Sequence, residues 1–242
     1  MMHRFFVEPS FLQGDLAELP ADTAHQVRNV LRMSPGDRLL LLDNQGWQVE
    51  AELVEATRRQ VTVRLLERSP AVGEPTRHVT LYQSLLKKGN FEWVLQKGTE
   101  LGISRFVPLI TERTVISERT LKPTKLARWQ RIVTEAAEQC RRARIPQLAP
   151  AQTFAEALAS QPPDTLGLIP ALSATTPLTT FLTDLPAHVA FFIGPEGGFS
   201  PTEVSQAQAN GLLAVTLGLR TLRAETAAIA AAALLFLHEQ PQ

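Results

Sequence analysis

One cysteine, Cys140, is present in the whole chain, so no intrachain disulfide can form, and a reducing compartment suits the protein. In a charged, helical setting this thiol reads as a passive core residue. Long hydrophobic runs are missing as well. The longest, Ala227 to Leu237, has eleven residues, against the roughly 20 needed to cross a bilayer. It reads instead as a buried helix, with a subunit interface as one way of burying it. The start of the chain, MMHRFFVEPSF, carries no secretory signal, because its short apolar run is broken by Glu8 and Pro9. Together these absences lead us to expect a soluble, cytoplasmic protein. One cysteine and five scattered histidines provide no metal-ligand spacing, so no metal is expected. The dinucleotide GxGxxG pattern, the GK[ST] ending of a P-loop and the GxSxG elbow of serine hydrolases are also missing.

What is present is ordinary in bulk and uneven in detail. The 242 residues, 44% hydrophobic and 20% charged, suffice for one large or two modest domains. The formal net charge of zero hides a division. Residues 76–146 hold 14 Lys/Arg against 6 Asp/Glu, whereas residues 1–75 hold 8 against 11 and residues 147–242 hold 2 against 7. A basic centre between acidic ends is compatible with a local polyanion footprint or with a solvated charged face.

Up to about residue 70 the pattern is mostly β. Arg38 to Asp43 reads as a strand, Asn44-Gln45-Gly46 as a turn, and Trp47 to Val54 and Val61 to Leu66 as further strands. Before them, AHQVRNVLRMSPGD predicts a short helix capped by Asp22 or Thr23 and stopped by Pro35-Gly36. Short strands around one helix suggest a small barrel. Ser69 to Pro75 reads as a linker, which sets expected domains at 1–70 and 74–242. Strand and helix then alternate: strands at Val79–Leu86, Arg105–Ile110, Thr165–Ile169, Val189–Ile193 and Leu212–Leu217, with helices at Asn90–Leu101, Lys122–Arg144, Pro201–Ala209 and the C-terminus. The compact apolar runs predict a parallel sheet buried on both faces.

Two strand ends stand out. In HVAFFIGPEGGFSPTE (His188 to Glu203) a buried strand meets a glycine-rich loop and then a capping box, Ser200-Pro201-Thr202-Glu203. In VTLGLRTLRAETAA (Val215 to Ala228) a strand meets Gly218, then Arg220, Arg223 and Glu225 ahead of a helix. Ligands of open α/β sheets sit at such carboxyl ends, where glycine lets the backbone approach closely. An ordinary tight turn, a capping glutamate and a surface salt bridge would explain the same residues structurally.

GPEGGFS together with LGLRTLRAETA resembles the paired signature of the SPOUT class of RNA methyltransferases, in particular the ribosomal RNA small subunit methyltransferase E (RsmE) family. HQVRNVLRMSPGD, LLKKGNFEWVLQKGTELGISRFVPL and EAAEQCRRARIP are similar to other blocks of that family, in the same order, so the resemblance spans nearly the whole chain. It implies an N-terminal PUA-like β-barrel and a C-terminal α/β domain with a trefoil knot, active as a homodimer. It further implies S-adenosylmethionine as cofactor and methylation of uracil N3 of one uridine in 16S ribosomal RNA.

By this resemblance the cofactor would meet Leu168, Ile169, Gly194, Pro195, Glu196, Gly197, Leu217, Gly218 and Leu222. Loss of the N3 proton needs a base or groups that stabilise the uracil anion. Glu225 and Glu196 are the candidate bases and Arg223 the candidate anion stabiliser, with a structural Arg–Glu pair as the other reading. RNA contacts are expected from His25, Arg28 and Arg32, spaced i, i+3 and i+7 on one helix face, from Lys87 and Lys88, and from Arg141 and Arg142. Arg141, Arg142 and Arg144 also suit the end of a helix. Lys97 and Glu100 read as a local ion pair and Trp93 as core. A SPOUT enzyme acting on a ribose hydroxyl or on transfer RNA, an inactive RNA-binding relative, and a metabolic nucleotide-binding enzyme are the competing readings.

Overall fold

In the computed structural model, which describes residues 2–115 and 121–237, the chain divides into two units. The first comprises Met1–Glu74 with Ala137–Ile145 and the second Pro75–Ala136 with Pro146–Gln242.

The first unit is a five-stranded mixed sheet. Its strands are β1 (His3–Phe6), β2 (Leu16–Glu18), β3 (Arg38–Leu42), β4 (Trp47–Ala56) and β5 (Val61–Pro70), in the order β1-β3-β4-β5-β2. Strand β1 runs parallel to β3 and the other pairs are antiparallel. Alternation sends Leu39, Leu41, Ala51, Leu53, Val61 and Val63 to one face, where they pack with Phe5 and with Val27 of the helical segment. That segment differs from its expectation. Helix α1 (Ala21–His25) follows Pro20 as N-cap, with Asp22 in the first turn rather than capping. A π-helical turn, Gln26–Val30, succeeds it, and Arg32 leaves the helix with φ 53°. The wider turn and the left-handed exit change the angular spacing, so His25, Arg28 and Arg32 do not share one α-helical face. Strand β5 also extends through Pro70, into the expected linker.

The 137–145 segment is tied to this unit by polar contacts. The Phe6 amide donates to Glu138 Oε1 at 3.0 Å. Arg142, 3% exposed, donates from Nε and Nη2 to the Glu74 carboxylate at 3.2 and 2.6 Å. Helix α3 (Pro123–Gln139) ends five residues before the expected Arg144 for a local reason. Arg141 turns left-handed (φ 67°), its amide donates to Glu138 O, and the Arg142 amide donates to Ala137 O. This is a Schellman turn with arginine where glycine is usual.

In the second unit β6 (His78–Ser84), β7 (Arg105–Ile110), β8 (Gln147–Leu148), β10 (Leu166–Pro170), β11 (His188–Ile193) and β12 (Leu213–Val215) form a parallel sheet in the order β12-β10-β11-β6-β7-β8, and β9 (Gln152–Thr153) also pairs with β7. The helices are α2 (Asn90–Leu101), α3 up to residue 136, α4 (Phe154–Ala159), α5 (Pro201–Ala209) and α6 (Ala224–Phe236). Every residue of β6 after His78 is buried, as expected for a central strand covered on both faces. Tyr82 stacks on Phe192 at 4.3 Å, within a cluster that includes Val107, Phe154, Ile169 and Leu212. Desolvation pushes the Tyr82 phenol above its ordinary pKa, against smaller opposing effects of Ser160 and Arg105, so this hydroxyl stays protonated. The buried tryptophan is Trp129, 1% exposed and stacked on Phe91; Trp93, expected inside, is 43% exposed. It lies on α2 beside the buried Phe91, Val94 and Leu95. The Lys97–Glu100 pair forms at 2.8 Å. Among the described residues no helix is long and apolar enough to cross a membrane.

Candidate functional site

Parallel pairing brings the carboxyl ends of β12, β10, β11, β6 and β7 to one edge of the sheet. The loops leaving that edge are residues 216–223, 171–177, 194–200, 85–89 and 111–115. Three of them are joined by specific contacts. The Lys87 amide donates to Glu196 Oε1 at 3.1 Å, linking the loops after β6 and β11. Arg113 Nη1 donates to Gly197 O at 2.9 Å, linking the loops after β7 and β11. The Glu112 amide donates to Glu203 Oε1 at 2.9 Å, while Glu203 Oε2 accepts from the Ser200 amide in the expected capping box. Beside the loops, Asn90 Nδ2 at the start of α2 donates to Glu225 Oε1 in the first turn of α6, at 3.1 Å.

The segment after β10 runs along β12 and its exit. The Ala171 amide donates to Val215 O, the Leu178 amide to Thr216 O and the Thr216 amide to Thr176 O. Glycine is required at two points. A Cβ on Gly194 would lie 3.1 Å from the Phe199 amide nitrogen, because the loop doubles back on its own strand end. Gly218 has φ 116°, and its amide donates to Thr216 Oγ1, which closes a short turn that an L side chain would strain.

The expected site residues fall into distinct environments. Pro195 is buried, Gly194, Leu217 and Leu222 are half-buried, and Glu196, Gly197 and Gly218 are exposed. Leu168 and Ile169 are wholly buried in β10, with Ile169 in the core cluster, so only their backbone remains to serve a ligand. Arg223 is the N-cap of α6, exposed and without a side-chain partner among the described residues. Glu225 is half-buried and pairs with Asn90, so the structural Arg223–Glu225 pair does not form. Lys87 and Lys88 are exposed, and Lys88 is left-handed at φ 57°.

The basic residues of the first unit separate as well. His25, Arg32 and Arg141 are exposed. Arg28 is half-buried and donates to Thr57 O at 2.6 Å. Arg142, expected among the RNA contacts, is 3% exposed with its guanidinium against Glu74, a position that suits a structural anchor. Sequence reasoning missed Asn90, Arg113, Gln83 and Ser84. Gln83 and Ser84 end β6 fully buried, and Gln83 Oε1 and Ser84 Oγ have no partner among the described residues. A charged residue just past a buried strand pointed to Arg113; nothing in the sequence marked the other three.

Chemically, this edge offers half-buried leucines beside loop backbone, two carboxylates held by neutral N–H donors, and several exposed cations. A flat heterocycle with a hydrogen-bonding edge fits the first, and an anionic partner fits the last.

Comparison with known proteins agrees. Residues 73–236 match an RNA methyltransferase domain family, and residues 19–66 match an RNA methyltransferase PUA domain family. The chain is 39% identical over 233 residues to the ribosomal RNA small subunit methyltransferase E of Synechocystis sp., covering 94% of this chain and 75% of that one. It is similar to the crystal structure of a ribosomal RNA small subunit methyltransferase E from Neisseria gonorrhoeae bound to S-adenosyl methionine, with TM-score 0.89, 33% identity and 96% of each chain covered. A putative methyltransferase from Legionella pneumophila in complex with bound SAM has TM-score 0.86, 32% identity and 97% of each chain covered. The N-terminal unit thus carries a PUA domain, and the parallel-sheet unit has a methyltransferase fold.

Proposed function

The chain belongs to the ribosomal RNA small subunit methyltransferase E family, and on that premise we propose that it transfers a methyl group from S-adenosylmethionine to N3 of one uridine in 16S ribosomal RNA. The observation that carries the reading is the shared carboxyl edge of the sheet, where the 194–200 and 216–223 loops meet two tethered carboxylates and the exposed cation Arg223.

The cofactor supplies a methyl group already activated by the adjoining sulfonium. Its adenine fits the half-buried Leu217 and Leu222, with the backbone of Gly194, Pro195, Glu196, Gly197 and Gly218 reading the polar edge, and with Leu168 and Ile169 contributing from their strand backbone. Uracil N3 bears a proton that must leave as the N–CH3 bond forms. In this reading Glu225 takes it, oriented by Asn90 Nδ2 on one oxygen with the other left to act. Arg223 faces the charge that develops on the uracil carbonyls. Glu196 is the second candidate base, but it already accepts the Lys87 amide and so serves the loop geometry as well. Lys87 and Lys88, with His25, Arg28, Arg32 and Arg141, would meet RNA phosphates. N3 lies on the pairing edge of uracil, so the target must be unpaired when it reacts.

The reading includes a homodimer and a knotted chain path. Beyond its first turn helix α6 is apolar on all sides, and Ile229, Ala230, Ala233 and Leu234 remain half-exposed in the single chain, which supports burial against a second copy. The knot is supported by the 171–178 segment lying along residues 215–216, which places the last strand beside an earlier loop. Acting on ribosomal subunits, the enzyme would work in the cytoplasm.

The test combines purified protein, labelled S-adenosylmethionine and small ribosomal subunits that lack 3-methyluridine, followed by nucleoside mass spectrometry. Stoichiometric 3-methyluridine in 16S RNA is expected. Methyl transfer to another atom, or none despite cofactor binding, overturns the assignment. Arg223→Gln should lower kcat by on the order of 100-fold, the usual cost of removing one preorganised anion-stabilising group.

A further inference from the structure

The β3–β4 hairpin of the first unit carries an aromatic and cationic cluster that methyl transfer does not use. Asp43, 5% exposed, fixes its tip: Oδ1 accepts the amides of Gln45 and Trp47 at 2.7 and 3.0 Å. The chain turns through Asn44 and Gly46, both left-handed, and delivers Trp47 to the first position of β4. There the indole is 43% exposed. Arg68, on the neighbouring strand β5, places its guanidinium 4.8 Å from the Trp47 ring centroid, with Nη2 3.8 Å from Asp43 Oδ2, while its side chain stays 63% exposed. Arg144 reaches the same tip: its Nη2 donates to Gln45 O at 2.9 Å and lies 3.2 Å from where a Cβ on Gly46 would stand. Gly46, left-handed at φ 105°, leaves this guanidinium close to the turn backbone. Asp43 is the carboxylate facing Arg68, and it is already committed to two amides.

We propose that this hairpin tip docks an unpaired nucleotide of RNA, its base extending the Trp47–Arg68 stack and its phosphate taken by Arg144. An open indole with a guanidinium over it provides two flat surfaces that accept any base, and fixed guanidinium groups supply the backbone charge. A cross-strand pair serving stability alone would gain from covering the ring. An acidic peptide would answer the arginines but leave the indole idle, and duplex RNA offers no free base to stack. The proposal rests on the RNA-directed reading above but is tested by binding alone.

The experiment measures fluorescence anisotropy of a labelled single-stranded oligouridylate, and of the same label on an RNA duplex, with the intact protein. Trp47→Leu should weaken single-strand binding by about tenfold, within the range for losing one stacked base, while Trp47→Phe keeps most of it and duplex binding is unchanged. Arg68→Gln, at a side chain 63% exposed, should weaken the same binding, and Arg144→Gln should weaken it and reduce its salt slope by about 0.7, the loss of one phosphate contact on a single strand. Unchanged single-strand affinity in Arg68→Gln and in folded Trp47→Leu overturns the platform, as does equal loss on duplex and single strand. Methylation by the wild-type protein, run in parallel, separates the two ideas: it can succeed while the platform fails, and the reverse.

Discussion

Replacing Glu74 with alanine should reveal what Arg142 does. One carboxylate receives four donors here: Arg142 Nε and Nη2, and the amides of Ala143 and Arg144 at 2.9 and 3.0 Å. The Arg142 side chain is 4% exposed and Glu74 26%. Breaking a fully buried pair by removing one partner costs about 3–5 kcal/mol, because the remaining charge is stranded. Glu74 is open to water on one side, which screens the pair, so we expect about 2–4 kcal/mol for Glu74→Ala. Arg142→Ala should cost less, since it leaves Glu74 holding two amides with access to solvent. Urea unfolding, followed by tryptophan fluorescence and analysed by linear extrapolation, measures both. If Glu74→Ala unfolded at the wild-type urea concentration, while Arg142→Ala kept its stability and lost RNA affinity, the anchoring argument would be wrong and Arg142 would belong with the RNA contacts.

Gly218→Ala should weaken S-adenosylmethionine binding by calorimetry and lower the melting temperature by a few degrees, because the strain falls on a left-handed turn in an exposed loop. Equal cofactor affinity would remove Gly218 from the site. Ser200→Ala should destabilise the protein by about 0.5–2 kcal/mol, near the upper end, since the cap is 3% exposed and the Glu203 amide loses its acceptor, Ser200 Oγ. A wild-type melting curve would show that the box contributes nothing. His78 is held below its ordinary pKa, first by desolvation, then by His188, whose ring lies 5.5 Å away, and by Arg105. The unfolded chain therefore binds this proton more readily. Stability from His78 is complete above about pH 6.5 and is lost as the pH falls through the lower folded pKa. His78→Asn should flatten that acid-side decline in a melting-temperature profile, and an unaltered slope would count against it.

Elements whose pattern repeats locally were legible without coordinates. Asn90–Leu101, Arg105–Ile110 and Pro201–Ala209 begin and end where periodicity, capping and proline place them. The same holds for the parallel sheet, announced by apolar runs too dense to have a wet face. The glycine-rich loops were visible because glycine at a strand end is a local statement about backbone geometry. Strands β1 and β2 escaped because four and three residues carry too little pattern, and β1 exists only through its parallel pairing with β3, some 36 positions away (His3↔Leu39).

Side-chain roles divided along the same line. Composition could say that residues 76–146 are basic, and motif resemblance could say which loops matter. Neither could say that Arg142 is buried on Glu74 while Arg223 is exposed, or that Trp129 rather than Trp93 is buried. An arginine and a tryptophan look the same in sequence whichever partner they find. Capping, turn geometry and hydrophobic period depend on residues within a few positions of each other, so the chain determines them by itself. Burial, pairing and the free or tethered state of a charge depend on residues that meet only after folding, and the tertiary structure alone decides them.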